Sequence, residues 1–235
     1  MTEVSPSRLI VSRRMFFAGS AATALLALPG CQSFGGLGGF SLTDAVRRML
    51  LLSSERAFAR LTAPGGFWDE QVARVGFDDL LGARGNVLSS VLTSALFKSR
   101  LEDALADVAV DASERAAPVV TDAVRVIGIR NAVALVRGGP SAATDFLRGE
   151  LGRELVLAMV PEVDEALRIA EDPLVGQALN ALTGVDVAEV ADRFAGQVDD
   201  AIWGEIAREE RAIRADPGAT RDPLIIGVFG ADAAL

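Results

Sequence analysis

The stretch from Asp186 to Arg214 constrains this chain more than any other. Val187, Val190, Ala191, Phe194, Val198, Ala201, Ile202, Ile206 and Ile213 recur every three or four residues, with charged residues between them. That period puts the apolar side chains on one face of a helix about 43 Å long at 1.5 Å per residue. A helix with one apolar stripe must bury it against other elements. The same period recurs upstream. Leu42, Val46, Met49, Leu50, Ala57 and Leu61 form one stripe, with Ser41 and Asp44 placed as N-cap and first-turn partner and Pro64-Gly65-Gly66 as the stop. Val87 to Leu96 forms a second stripe, which runs on through Leu101, Leu105 and Val108 toward Pro118, where a proline is expected to kink or divide the helix. A short piece at Phe77–Leu81 precedes it.

Val119–Val136 is rich in Val and Ile, which suit strands. Its i, i+4 spacing and the interleaved Asp122, Arg125 and Arg130 favour helix. Gly138-Gly139-Pro140 breaks the chain, Ser141–Ala170 reads as a helix bent near Pro161, and Asp172-Pro173 ends it. Asp216-Pro217-Gly218 stops the long helix, and the apolar run Pro223–Phe229 is expected to fold back on the bundle. No strand-turn-strand alternation and no fixed-period repeat is visible. The expected fold is all-α: a multi-helix bundle over residues 41–235 as one domain, preceded by a lipoprotein signal peptide and a Gly-rich tether.

The first thirty residues read as an address. Arg8, Arg13 and Arg14 are followed by the uncharged apolar stretch Met15–Leu28, as long as a signal-peptide core and too short to span a bilayer. Ser12-Arg13-Arg14-Met15-Phe16 resembles a twin-arginine export signal, with Arg13, Arg14 and Phe16 as its matching positions; a general secretory signal is the alternative. Leu28-Pro29-Gly30-Cys31 resembles a bacterial lipobox, which would make Cys31 the lipidated N-terminus of the mature chain rather than a buried thiol. Residues 31–40, with four glycines between Gly35 and Gly39, form a flexible tether. These features place the protein in the bacterial cell envelope, facing the periplasm. Gln32, where enteric inner-membrane lipoproteins carry Asp, leans toward the outer membrane.

Composition removes several chemistries. With no histidine there is no Ser-His-Asp or Cys-His catalytic unit and no imidazole metal ligand. With one cysteine there is no internal disulfide and no thiolate zinc site. Residues 31–235 carry 20 basic and 31 acidic residues, a net charge of −11 that opposes binding to nucleic acid. No cofactor or metal site is expected. Asp78-Asp79, Asp103 with Asp107, and Asp199-Asp200 lack the spacing of a calcium loop. Trp68 and Trp203 are expected in the core or at the bundle edge.

Several segments share a pattern beyond helical period. Glu209-Glu210-Arg211-Ala212-Ile213-Arg214-Ala215-Asp216-Pro217, then Ala219-Thr220 and Val228-Phe229-Gly230, resemble the C-terminal ending of the domain of unknown function 4197 family. Pro64-Gly65-Gly66-Phe67, Glu114–Pro118, Val120–Ala123, and Gly138-Gly139 with Ala142-Ala143-Thr144 resemble its upstream motifs. Arg211 stands where the family usually has Lys, and Leu224–Gly227 is more apolar than the usual basic version. The resemblance implies a helical, exported bacterial envelope protein and carries over no catalytic residue.

Within the motif, Glu209, Glu210 and Arg214 are the charged candidates, read as a solvated, salt-bridged helix face; Glu210 and Arg214 at i, i+4 make a pair worth about 0.2–0.5 kcal/mol there. Two functional expectations remain. One is a non-enzymatic binding or scaffolding module of the envelope. It would be held to the membrane by a lipid on Cys31, take an envelope protein or apolar ligand as partner, and carry an apolar groove. The other is a carboxylate-dependent cell-wall glycan hydrolase, which needs two carboxylates about 5–9 Å apart in a cleft.

Overall fold

The computed structural model describes residues 41–72, 95–169 and 187–232. Every regular element among them is helical. In chain order these are α1 (Leu42–Leu61), a short helical segment over 67–72, α2 (Ala95–Val126), α3 (Ala132–Val136), α4 (Ala142–Leu151), α5 (Glu154–Ile169), α6 (Val187–Ala215), a 3-10 turn (Pro217–Thr220) and α7 (Pro223–Asp232). The 1–30 signal, the 31–40 tether, Cys31, the Phe77–Leu81 piece, the start of the second stripe at Val87 and the Asp172-Pro173 stop lie outside the described residues.

Four helices form a ring: α1 packs on α6, α6 on α5, α5 on α2, and α2 on α1. Their stripes fill the centre with Met49, Leu50, Leu61, Ala109, Val120, Leu155, Met159, Phe194, Ile202 and Ile206, all essentially inaccessible to solvent. α1 begins as its sequence suggests. The Ser41 hydroxyl accepts the Asp44 N–H at 3.1 Å and donates to the Asp44 carboxylate at 2.6 Å, which serves an N–H left free by the first helical turn. α1 and α2 run in opposite directions. Arg47 in the first turns of α1 donates to the Val124 and Ile127 carbonyls at the end of α2, whereas Trp68, just beyond α1, meets Ser113 further back along α2.

Neither proline divides its helix. α2 continues through Pro118 and α5 through Pro161. Both prolines are exposed, so the carbonyls they leave unpaired lie on solvated faces, and the buried neighbours Ala116, Val120, Met159 and Val163 hold the helices together. The segment Ser141–Ala170 divides instead at Gly152, whose φ of +55° and ψ of −120° suit glycine almost alone. Val119–Val136 is helical to Val126, leaves helix over 127–131, and resumes as α3.

Candidate functional site

One end of the ring is closed by α3, α4, the 3-10 turn and α7, and the Glu210–Arg214 pair sits at their junction. The Glu210 side chain is fully buried and that of Arg214 is nearly so, which corrects the expectation of a solvated face. The reason is long-range. Glu210 accepts the Ala143 N–H at 3.1 Å, the Thr144 N–H at 2.7 Å and the Thr144 hydroxyl at 2.6 Å, so its carboxylate caps the N-terminus of α4. Arg214 donates to Glu210 through Nε at 2.8 Å, and to the Val136 and Leu135 carbonyls at the end of α3 at 2.9 and 2.8 Å. Its guanidinium lies over the Phe229 ring of α7, 5.0 Å from the centroid. One ion pair thus holds a helix N-terminus, a helix C-terminus and an aromatic ring. The turn between α3 and α4 needs Gly138, because a Cβ there would stand 2.8 Å from the Ala134 carbonyl oxygen and 2.5 Å from the Ala142 methyl.

Glu209 belongs to a neighbouring network. Arg208 pairs with Glu209 at 2.7 Å and with Glu205 at 2.9 Å, and Arg60 of α1 reaches Glu205 at 3.4 Å. These carboxylates tie α6 to itself and to α1.

A cleft of about 310 Å³ lies between the 67–72 segment and α6. Trp68, Val72, Phe194, Val198 and Ala201 supply its apolar wall; Gln71, Gln197 and Asp200 supply its polar groups. Sequence reasoning singled out none of these as a site, since Phe194, Val198 and Ala201 read simply as core positions. Trp68 is buried and donates its indole N–H to the Ser113 hydroxyl at 3.1 Å, which in turn donates to the Ala109 carbonyl at 2.7 Å. Phe67 meets Trp68 edge-on at 5.0 Å between centroids. Asp200 is the one carboxylate among the described residues lining the cleft. It pairs with Arg148 of α4, which also holds Asp199 at 3.1 Å. Asp199 accepts the indole N–H of the buried Trp203 at 2.9 Å.

Burial pushes the Asp199 carboxyl above its ordinary 3.8, and Asp200 pushes the same way; together they outweigh the hydrogen bonds from Trp203 and Arg148 and the Arg148 charge. Asp222 goes the other way. Burial raises it, but the hydrogen bond from Arg48, the N–H groups of Ile225 and Leu224, and the Arg48 charge together bring it below 3.8. The two shifts have opposite consequences. Folded Asp199 holds its proton more tightly than the unfolded chain, so its contribution to stability falls as pH rises above about 3.8. Asp222 contributes stability above 3.8 that is lost as pH falls through its depressed value. Asp199→Asn is therefore expected to make stability climb more steeply than in the parent chain as pH rises above 3.8. Asp222→Asn should flatten the loss below pH 4. Urea unfolding at each pH measures both slopes, and an unchanged slope in Asp199→Asn contradicts the assignment.

Among the described residues no three acidic, histidine or cysteine side chains come together as a metal site, and no helix is long and apolar enough to cross a membrane. Asp103 and Asp107 are exposed on α2; Asp78-Asp79 lies outside the described residues.

No curated protein and no solved structure matches the chain. A family model does match, over residues 36–230, and its span takes in the described bundle up to the last two residues of α7, with the α3–α4 turn and the Glu210–Arg214 junction inside it. The chain belongs to the family described as "Protein of unknown function (DUF4197)".

Proposed function

We propose that this protein is a lipid-anchored, periplasm-facing module of the cell envelope that binds an apolar ligand or an apolar segment of a partner through the Trp68–Phe194 cleft. The cleft carries the reading. It has the size of the smaller ligand sites, a mostly apolar wall and a few polar groups at its edge. The lipobox-like Leu28–Cys31 and the tether after it support the anchor. The glycan-hydrolase alternative requires two carboxylates facing one cleft, and the described lining supplies Asp200, itself engaged by Arg148. Glu205, Glu210 and Asp199 are committed to helix-joining contacts, and Glu209 pairs with Arg208 on its own helix.

The neutral dye N-phenyl-1-naphthylamine tests the cleft. Its fluorescence is expected to rise saturably with the purified protein, with Kd on the order of 0.1 mM for a ligand of this size. Ala201→Trp, which fills the cleft from α6, should abolish the rise while leaving the helical circular dichroism intact. An equal rise in parent and variant would refute the cleft as the binding site.

A further inference from the structure

We propose that the closed end of the bundle, centred on residues 125–137, docks on an anionic lipid bilayer surface. The proposal rests on the anchor reading above and adds an orientation to it. Between Asp122 and Asp145 the chain has no acidic residue and three arginines, Arg125, Arg130 and Arg137, all exposed, in a protein of net charge −9. Large apolar side chains are exposed in the same stretch: Val126 is 83% and Val133 48% accessible. Leu42 at the start of α1 and Ile226 on α7, at the same end, are 37% and 40% accessible.

The packing explains why these residues share one end. Arg47 of α1 holds the end of α2 through the Val124 and Ile127 carbonyls. Arg48 pairs with Asp222, just before α7, at 2.7 Å. Arg214 joins the end of α3 to α7. Three acids of this end are paired with arginine, Asp44 with Arg47, Asp122 with Arg125, and Asp222 with Arg48, while the exposed Asp145 and Asp216 serve local caps, accepting from the Ser141 hydroxyl and the Ala219 N–H. Arg130 and Arg137 make no ion pair among the described residues, so their charge is available to an outside partner.

Two observations select a bilayer as that partner. The first is charge. Exposed arginines interleaved with exposed valines suit a surface that is anionic at its headgroups and apolar just beneath, and each basic residue near such a surface strengthens binding. The second is connectivity. Ser41, where α1 begins, lies at this end, and the ten residues 31–40 can extend at most about 35 Å, which keeps the end within reach of a lipid on Cys31.

The test uses the full chain produced in bacteria and recovered from its envelope in detergent. Val133→Cys and, as a control on α5, Leu157→Cys (Leu157 is exposed) are each labelled with an environment-sensitive dye. The samples are reconstituted into vesicles of phosphatidylethanolamine with phosphatidylglycerol, or of phosphatidylcholine alone. The expected result is that a water-soluble quencher loses access to the label at 133 in anionic vesicles and keeps it at 157. Reversing Arg130 and Arg137 to Glu should weaken that protection roughly tenfold or more. Equal quenching at 133 and 157 in anionic vesicles overturns the docking, as does equal protection in phosphatidylcholine. Protection at 133 before vesicles are added means that a second copy or another protein covers this end, and also overturns it. Dye at Cys31 itself reports failure of the anchor reading separately; the quenching comparison with added vesicles then still decides the docking.

Discussion

Glu210→Ala is expected to destabilise the protein by about 3–5 kcal/mol, the cost of breaking a buried ion pair and leaving its partner charge unmatched. For a domain of this size that corresponds to a fall in Tm of roughly 6–20 °C. The loss has three parts. The Ala143 and Thr144 N–H groups at the start of α4 lose their acceptor, the Thr144 hydroxyl loses its own, and Arg214 stays beneath Phe229 with no carboxylate. Glu210→Gln keeps the shape and one acceptor oxygen but removes the charge and turns an NH2 toward existing donors. It should fall between the parent and Ala. Thermal unfolding followed by circular dichroism at 222 nm measures all three. A change under about 2 °C for Glu210→Ala would mean that the carboxylate does not hold this junction.

The second large effect concerns Cys31. If its thiol carries the lipid, the mature protein fractionates with membranes, because stable anchoring needs two or more acyl chains and a lipoprotein N-terminus supplies them. Cys31→Ser should remove both lipidation and cleavage, so that the chain accumulates as an unprocessed form that keeps residues 1–30 and carries no acyl mass. Replacing Arg13 and Arg14 with Lys should block export through a twin-arginine route and leave a general secretory route working, which separates the two readings of residues 1–30.

Much of the fold was legible because helical period is a local signal. The stripe from Val187 to Ile213 became α6 within a residue of its expected ends, and Ser41 with Asp44 marked the start of α1. The prolines were less legible. Whether Pro118 or Pro161 breaks a helix depends on which face it occupies, and both occupy solvated faces. Gly152, with no special neighbours in the sequence, was the actual break.

The charged motif was the least legible of all. Glu210 and Arg214 at i, i+4 have the spacing of a surface pair, and nothing local shows that Ala143 and Thr144, 66 or more residues away, supply the partners. The available hint was that the Gly138–Thr144 and Glu209–Pro217 segments both carry the family resemblance; the junction shows them in contact. The cleft was hidden for a related reason. Phe194, Val198 and Ala201 share the period of core residues, and which part of a stripe is covered is decided by where the 67–72 segment lies.

The central claim is a helical domain held to a membrane by its own N-terminus, and intact mass spectrometry of the protein purified from envelopes tests it most directly. The account predicts a chain that begins at Cys31 and carries the added mass of acyl groups on that residue. A chain with an unmodified Cys31, or one that still begins at Met1, would contradict it.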